Sequence, residues 1–318
     1  MKEFTIGQND AGQRLDKFLT KAVPLLPSSM IYKGIRTKRI KVNGKRAEIS
    51  TRLAAGDTVS LYLNDEFFEE KRADTAFLRA GNEVSVIYED KNILIAEKPA
   101  GLVVHEDESG TADTLIARVQ KYLYQKGEYD PALENSFAPA LCNRIDRNTG
   151  GIVIAAKNAE ALRILNEKIK NREIDKRYLA VIHGAMTPRE GTLHGYLFKD
   201  AVKNRVYVTQ QPQKGAKTCE TRYRTLATEG DLSLVECKLI TGRTHQIRAQ
   251  FASAGHPLLG DGKYGRAETK YDRKYQALYS YRLTFTFNTD AGLLQYLNGR
   301  SFQVEQVDFA ETYFPGLL

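Results

Sequence analysis

One acidic residue beside a short, wholly apolar segment constrains this chain more than any other feature of its sequence. Asp146 stands between Arg144 and Arg147, a polar turn follows at 148–151, and residues 152–156 read Ile-Val-Ile-Ala-Ala. A short β-branched run preceded by glycines predicts a buried strand. We therefore expect a carboxylate on a loop at the end of a rigid core strand, a common setting for catalytic groups. From these residues alone, a structural pairing of Asp146 with the neighbouring arginines is the alternative.

The positive charge of the chain is concentrated near its N-terminus. Residues 1–64 contain 12 Lys and Arg against 5 Asp and Glu, a net charge of +7. The whole chain has 47 basic and 39 acidic residues, so the other 254 residues hold 35 and 34, a net charge of +1. A basic surface confined to one segment favours binding to a polyanion.

The sequence gives no sign of membrane insertion, secretion or a resident metal. No apolar run reaches the roughly 18 residues that a membrane helix needs, and residues 1–5 lack the charged start and apolar block of a signal peptide. The three cysteines at 142, 219 and 237 are odd in number and form no metal-ligand pattern. We expect a protein of the reducing cytoplasm that uses neither metal nor cofactor and has no obligatory protein partner.

Residues 1–64 predict two short helices and a small basic sheet. Apolar residues recur at helical spacing over 15–22, and Ser28 or Ser29 is the expected cap of the second helix. The dipeptide 43–44, Asn-Gly, predicts a tight hairpin turn. This segment resembles the S4-type RNA-binding module, a small α/β unit. The resemblance implies RNA-facing cations on its surface, which we expect to be Lys33, Arg36, Lys38, Arg39, Lys41 and Lys45.

Residues 65–83 form an acidic, aperiodic stretch that we interpret as a linker. Beyond it, the chain alternates strand patterns with amphipathic helix patterns. The strands are expected at 84–88, 93–99, 152–156, 176–184, 221–226, 232–239 and 277–287, and the helices around 115–123 and after Asn158. This order predicts an α+β domain over 84–318, with flanking helices around a mostly antiparallel mixed sheet.

Three motifs in this second part resemble the RluA-type pseudouridine synthases. Residues 143–151 are similar to the family's His-Arg-Leu-Asp-x-x-Thr-Ser-Gly, and 176–184 resemble its Lys-x-Tyr-x-Ala-x-Val-x-Gly. Residues 241–248 match its Thr-Gly-Arg-Thr-His-Gln-Ile-Arg at every position. The first motif departs from the family at three places, with Asn143 for His, Ile145 for Leu and Gly150 for Ser.

The resemblance implies an RNA uridine isomerase with one essential carboxylate, Asp146. Arg248 matches the arginine that pairs with this carboxylate, and Arg243 is the second candidate for that role. Tyr178 matches the active-site tyrosine, which stacks on the flipped uracil and can assist proton removal at C5. Further substrate contacts are expected from Arg144, Arg243, His245 and Leu258. Because a base inside a helix cannot reach such a site, the target uridine must be flipped or unpaired.

The expected substrate is structured RNA, with large-subunit ribosomal RNA first and transfer RNA as the alternative. A second class of function is a non-catalytic RNA-binding assembly factor that keeps the fold. A third is a retaining glycoside hydrolase, which also attacks an anomeric carbon with a carboxylate. That chemistry needs a second acid as proton donor. No matching acid is evident near Asp146 in sequence, and Asp261 is the candidate that folding could bring close to it.

Overall fold

The computed structural model describes residues 1–68, 75–107, 110–200, 202–265, 270–271 and 273–317. Residues 69–74 of the expected linker lie outside the described part. The described remainder of 65–83 contains two 3-10 turns, Asp65–Phe67 and Ala76–Arg79. None of the described helices is long and apolar enough to cross a membrane.

The N-terminal module packs two helices against a small antiparallel sheet. Its elements are β1 (Lys2–Thr5), α1 (Leu15–Ala22), α2 (Ser28–Arg36), β2 (Ile40–Val42), β3 (Lys45–Arg46) and β4 (Thr58–Leu61). The sheet order is β1-β4-β2-β3. Asn43 and Gly44 have φ values of 52° and 72°, the left-handed pair that the hairpin turn requires. This turn was predicted.

The expected serine cap of α2 is wrong. Pro27 occupies the N-cap position, and no side chain bonds to the first turn. Proline at this boundary fixes an extended entry into the helix, with φ of −58° and ψ of 142°. Ser28 and Ser29 therefore belong to the first turn itself.

The second domain is built on an 11-stranded sheet. Its strands are β5 (Ser85–Glu89), β6 (Ile93–Lys98), β7 (Ala140–Leu141), β8 (Gly150–Ala156), β9 (Ile174–His183), β10 (Glu190–Asp200), β11 (Arg205–Thr209), β12 (Lys217–Glu229), β13 (Leu232–Leu239), β14 (Leu278–Phe285) and β15 (Ser301–Gln303). The main path runs β11-β10-β12-β13-β9-β14-β8-β6-β5, with β7 on β8 and β15 on β14. Pairings among the described strands are antiparallel except for β8 with β14. The predicted α+β class is confirmed.

In the part of the chain that the structure describes, the helices that cover this sheet are α3 (Leu115–Gln125), α4 (Ala159–Lys170), α5 (Gln246–Ser253) and α6 (Asp308–Tyr313). The side chain of Asn158 caps α4 by accepting a hydrogen bond from the Ala161 N–H at 2.8 Å, as the sequence predicts. Six elements within the described residues of this domain were not predicted: β7, β10, β11, β15, α5 and α6.

Strand β8 lies in the middle of this domain and is buried along its whole length. Ile152 and Ile154 pack into one core cluster, while Val153 and Ala155 pack into another on the opposite face. Burial on both faces explains the continuous apolar run. At its start, Gly151 has φ of 113°, and a Cβ there would lie 2.2 Å from the Ser280 carbonyl oxygen. Only glycine fits, and the strand therefore delivers the preceding loop at a fixed position.

The N-terminal module contacts the second domain through a polar interface. Asp10 is 1% exposed and accepts hydrogen bonds from Asn135 Nδ2 at 2.7 Å and Ser136 Oγ at 2.5 Å. Asn9 donates to Glu134 at 2.7 Å. We call these contacts the latch. They attach the module to the segment that leads into residues 139–147.

Candidate active site

A cavity of about 1680 Å³ opens above the loop that precedes β8. Asp146 comes from this loop, Tyr178 from β9, and His245 and Arg248 from the start of α5. All four line the cavity. Sequence reasoning assigned the four to one site although they span about a hundred residues, and the fold brings them together.

Arg248 joins two carboxylates at the cavity wall. Its Nη1 donates to Asp146 Oδ2 at 3.0 Å, while Nε and Nη2 donate to Asp261 at 2.7 and 2.8 Å. The fork therefore binds Asp261 at both oxygens and leaves one N–H for Asp146. Burial acts to lower the pKa of Arg248, but the two carboxylates outweigh it and raise that pKa. The guanidinium is a permanent, fixed cation beside Asp146.

Asp261 is buried and ionised, and this arrangement does not suit a catalytic acid. Its side chain is 0% exposed, and its Oδ1 also accepts from the backbone N–H groups of Lys263 and Tyr264. Burial alone would raise the pKa of Asp261, but the hydrogen bonds and charge of Arg248 hold that pKa below its ordinary value. An acid without exposure or a proton cannot protonate a leaving group. The structure thus removes the candidate donor of the glycoside hydrolase alternative.

His245 is held in a strained backbone conformation next to Asp146. It is the residue before α5, with φ of 53°, a left-handed conformation that non-glycine residues adopt rarely. Its Nδ1 lies 2.9 Å from Tyr264 Oη, and its Nε2 lies 3.9 Å from Asp146 Oδ2. Burial lowers the pKa of His245, opposed in part by Asp146. A neutral imidazole therefore faces the carboxylate.

The loop carrying Asp146 is anchored from below. Lys98, 0% exposed, donates from Nζ to the carbonyl oxygens of Pro99, Leu102 and Arg147 at 2.7–2.8 Å. Burial lowers the pKa of Lys98 to about 7, and Asp146 acts in the opposite direction. Because the Arg147 carbonyl directly follows Asp146 in the chain, this lysine fixes the backbone at the carboxylate.

Tyr178 stands on the floor of the cavity, 5% exposed. Burial raises the pKa of its hydroxyl to about 12. The phenol therefore keeps its proton near neutrality. This favours stacking on a base or donating a hydrogen bond over removing a proton from C5.

The other expected substrate contacts fall into two groups. Arg144 and Arg243 are exposed and line the cavity, and Arg243 also donates from Nε to the Thr218 carbonyl at 3.1 Å. Leu258, by contrast, is 1% exposed and lies in the core that supports Tyr178. Leu239, Ile247 and Leu278 form apolar parts of the cavity lining instead.

The neighbouring arginine of the motif does not pair with Asp146. Arg147 Nη2 donates to Asp107 at 2.6 and 2.8 Å. The structural alternative, in which Asp146 pairs with its flanking arginines, therefore does not describe the fold.

Several lining residues were missed by sequence reasoning. They belong to the β10–β11 hairpin and to the segment after Asp261, and they include Lys199, Arg205, Tyr207 and Lys263. Arg205 and Arg248 lie over Tyr264, with 5.1 and 5.2 Å from guanidinium carbon to ring centroid. The basic, aromatic composition of 199–207 was the signal available in the sequence.

The six expected cations of the N-terminal module all reach its surface. Lys33, Arg36, Lys38, Arg39 and Lys45 are exposed and Lys41 is partly exposed, with its Nζ 5.3 Å from the ring centroid of Tyr62. Within the described part of the chain, none of the six forms an ion pair with an acid. We call these six residues the basic surface.

The departures from the family motif are absorbed by local structure. Asn143 Oδ1 accepts from the Ile154 N–H at 2.8 Å, which ties the motif to β8. A Cβ at Gly150 would lie 2.4 Å from the ring of Tyr279. The ring of Tyr279 thus occupies the space that a serine side chain would need.

Among the residues described, no cluster of His, Cys, Asp or Glu is arranged to hold a metal ion. All three cysteines are free. Burial raises the pKa of the Cys142 thiol to about 12, so this cavity-lining cysteine is an apolar group rather than a nucleophile.

Two family descriptions match the chain. Residues 92–253 match RNA pseudouridylate synthase, and residues 13–59 match the S4 domain. Similar proteins include ribosomal large subunit pseudouridine synthase C of Escherichia coli, 33% identical over 86% of this chain and 82% of that protein. An uncharacterized RNA pseudouridine synthase of Mycoplasma genitalium is 32% identical over 89% of this chain and 88% of its own length.

Solved structures share this fold over about seven tenths of the chain. Human RNA pseudouridylate synthase domain containing 4 aligns with a TM-score of 0.55 at 19% identity, covering 71% of this chain and 89% of that one. Human RNA pseudouridylate synthase domain containing 1 gives 0.52 at 20% identity, over 73% and 94%.

Proposed function

Because this chain belongs to the family of RNA pseudouridylate synthases, we propose that it isomerises uridines of structured large-subunit ribosomal RNA with Asp146 as its essential carboxylate. The observation that carries the proposal is the contact of Arg248 Nη1 with Asp146 at 3.0 Å inside a cavity of about 1680 Å³. The volume is sufficient for a flipped nucleotide.

The reaction needs a carboxylate beside the sugar and no external group donor. The C1′–N1 bond breaks, its electron pair stays on the uracil, the base turns, and C5 bonds to C1′. The proton leaves C5 and N1 gains one, so the product is an isomer of the substrate. Asp146 acts as the nucleophile at C1′ or as a base on the sugar. Either role requires an ionised oxygen, and Arg248 Nη1 places a cation 3.0 Å from Asp146 Oδ2.

The flanking groups orient the substrate. Tyr178 stacks on the uracil from the cavity floor, and its protonated hydroxyl can donate a hydrogen bond to the base. Arg144 and Arg243 flank the opening, where they meet the phosphates on either side of the flipped uridine, and His245 contacts the substrate beside Asp146. Leu258 supports Tyr178 from beneath.

The basic surface supplies affinity for RNA outside the cavity. Six cations without acidic partners in the described structure fit a polyanion contacted through its phosphates. We propose large-subunit ribosomal RNA as the substrate because relatives of similar length are named ribosomal large subunit pseudouridine synthase C. Their alignments cover more than four fifths of this chain. Transfer RNA is the second candidate substrate.

A non-catalytic assembly factor would have no use for the buried Arg248–Asp146 contact, since burying charge costs stability. We place the protein in the cytoplasm, where ribosomal RNA is available and three free thiols stay reduced.

The direct test maps pseudouridines in total RNA from cells with and without this protein. One or more sites in large-subunit ribosomal RNA should disappear and return on complementation with the wild type, but not with Asp146→Asn. Loss of sites only in transfer RNA would select the second substrate. Full complementation by Asp146→Asn would refute the proposed site.

A further inference from the structure

One lysine of the cavity has no role in the chemistry described so far. Lys176 lines the cavity from β9. The structure gives the Lys176 ammonium neither a hydrogen bond nor an ion pair within the residues it describes.

The position of Lys176 in β9 directs it toward the same space as Tyr178. Residues two apart in a strand point to the same face, with Cα atoms about 6.7 Å apart. The residues between and before them point away: Arg177 Nη1 donates to Glu236 at 2.6 Å, and Asp175 accepts from Lys238 at 2.6 Å. Asp175, the acid next to Lys176 in sequence, is therefore paired with Lys238 on the opposite face of the strand.

Structural lysines in protein interiors have a partner that compensates burial. Lys98 has three carbonyl oxygens, and Lys168 has Glu173 at 3.0 Å and Thr289. Lys176 is partly buried without such a partner, and burial lowers its pKa. A desolvated cation facing an empty part of a reaction cavity suits a substrate group that carries or develops negative charge.

We propose that Lys176 is a further catalytic residue, whose ammonium donates a hydrogen bond to a carbonyl oxygen of the target uracil while the base is detached from the sugar. When the C1′–N1 bond breaks, the electron pair on N1 is delocalised onto the two uracil oxygens. The hydrogen bond stabilises this anion without transferring a proton, and the balance of the isomerisation is unchanged. This role rests on the proposed function.

A phosphate contact is the competing role for a cation in an RNA enzyme. Phosphates remain on the backbone of a flipped nucleotide and lie near the cavity opening, where Arg144 and Arg243 are exposed. Lys176 is more buried than either and shares its strand face with Tyr178. The geometry therefore points to the base rather than to the backbone.

The test compares Lys176→Met, Lys176→Arg and the matched control Lys170→Met, an exposed lysine at the end of α4 outside the cavity. Single-turnover rates at saturating protein, and RNA affinities, are measured on one unmodified RNA whose target uridine the wild type converts. We expect Lys176→Met to lower the rate about 100-fold while affinity stays within about threefold of wild type. Lys176→Arg should recover part of the rate, and the control should match wild type in both measurements.

Two outcomes overturn the proposal. A Lys176→Met rate within about threefold of wild type shows that the lysine does not act in the chemical step. A loss of affinity with a flatter salt dependence and a normal rate at saturation makes Lys176 a phosphate contact. The unfolding midpoint of each variant is measured in parallel, and only variants with a wild-type midpoint enter the comparison. Wild-type protein that makes no pseudouridine would instead refute the proposed function.

Discussion

The basic surface of the N-terminal module and the cavity of the second domain both present cations, and they hold them differently. Lys33 and Arg36 are exposed on α2 and have no acidic partner in the described structure. Arg248 is 7% exposed and bound to two carboxylates. The exposed cations can exchange one ionic partner for another, and salt screens their charge. Arg248, by contrast, is held in one position and is largely removed from water. Exposed cations suit binding, and the buried pair suits chemistry.

The two regions also differ in how they tolerate change. A solvated lysine can be removed without leaving an unsatisfied partner. Removing Arg248 leaves Asp261 buried without its cation and Asp146 without its contact. The comparison predicts that affinity and turnover can be changed separately by substitutions in the two regions.

The largest expected effect follows from Arg248→Met. Turnover should fall roughly 1000-fold, because the carboxylate loses its fixed counter-charge. Arg243→Met, the other arginine of the motif, should mainly weaken RNA binding, since its side chain is exposed. Turnover at saturation and RNA affinity are measured for both variants. If both variants lowered turnover equally, the contact between Arg248 and Asp146 would have no special role in the reaction, and the proposed difference between the two regions would be wrong.

Arg248→Met should also change how stability depends on pH. In the wild type the pKa of Asp261 lies below 3.8, so its stabilising contribution is present above that pH and lost as pH falls through the lowered value. Burial raises the pKa of Asp261, and the contacts with Arg248 counteract this effect. Without Arg248 the pKa of Asp261 should therefore rise. The destabilisation caused by Arg248→Met should therefore be larger at pH 7 than at pH 4, as measured by urea unfolding. A difference that does not vary with pH would contradict this account.

The basic surface should control affinity without affecting the chemical step. Substituting Gln for Lys33, Arg36 and Lys38 together should weaken binding to long RNA roughly 10- to 100-fold and reduce the slope of log affinity against log salt by about 0.7–0.9 per lost contact. The charge-matched control replaces Lys2, Lys17 and Lys21, which lie outside this surface. Equal salt slopes for the two variants would mean that charge alone, and not this surface, binds RNA.

A test of rigidity compares one glycine from each region. Gly150→Ser restores the family residue but places a side chain against the ring of Tyr279, which should cost about 1–3 kcal/mol of unfolding free energy. Tyr279→Ala should relieve much of that additional cost in the double variant. Gly7→Ser in the N-terminal module meets only Asp10 Oδ2 at 3.7 Å and should be nearly neutral. Additive costs at 150 and 279 would refute the steric explanation.

The latch should give the smallest effect, since it links the two regions without contacting substrate. Asp10→Ala removes an acceptor for Asn135 and Ser136. Turnover on a long RNA that reaches both regions should fall about 3- to 10-fold through lost effective concentration, while a minimal stem-loop should be unaffected. Ser136→Ala should give a smaller loss that is not additive with the first. An equal loss on both RNAs would show that the latch acts on folding instead.

The sequence predicted the second domain well where one local pattern decides the structure. Strand β8 is apolar on both faces, and the Asn158 cap precedes a regular amphipathic helix. In the N-terminal module, Asn43-Gly44 likewise determines its turn. Helix α5 escaped prediction because Gln246, Arg248 and Gln250 are buried with its apolar residues, so no periodicity marks it. Its buried polar side chains are satisfied by distant partners, which no local pattern encodes.

Only the site residues that lie in recognisable motifs could be predicted from the sequence. Asp146, Tyr178 and Arg248 lie in recognisable segments, but the bidentate contact of Arg248 with Asp261 depends on the path of the chain after α5. The β10–β11 hairpin, whose Glu190–Asp200 strand alternates exposed and partly buried residues, carries Lys199 and Arg205 to the cavity. Their contribution depends on a sheet edge that the sequence did not reveal.

The central claim is that chemistry resides in Asp146 and affinity resides elsewhere. The most direct measurement pairs tritium release from 5-tritiated uridine RNA with a binding titration on one preparation of Asp146→Asn. This substitution keeps the size of the side chain and removes its charge and reactive oxygen. We predict turnover below detection, with RNA affinity within about threefold of wild type. Residual turnover within about tenfold of wild type, roughly 1.4 kcal/mol of barrier, would contradict the account and make Asp146 a structural residue.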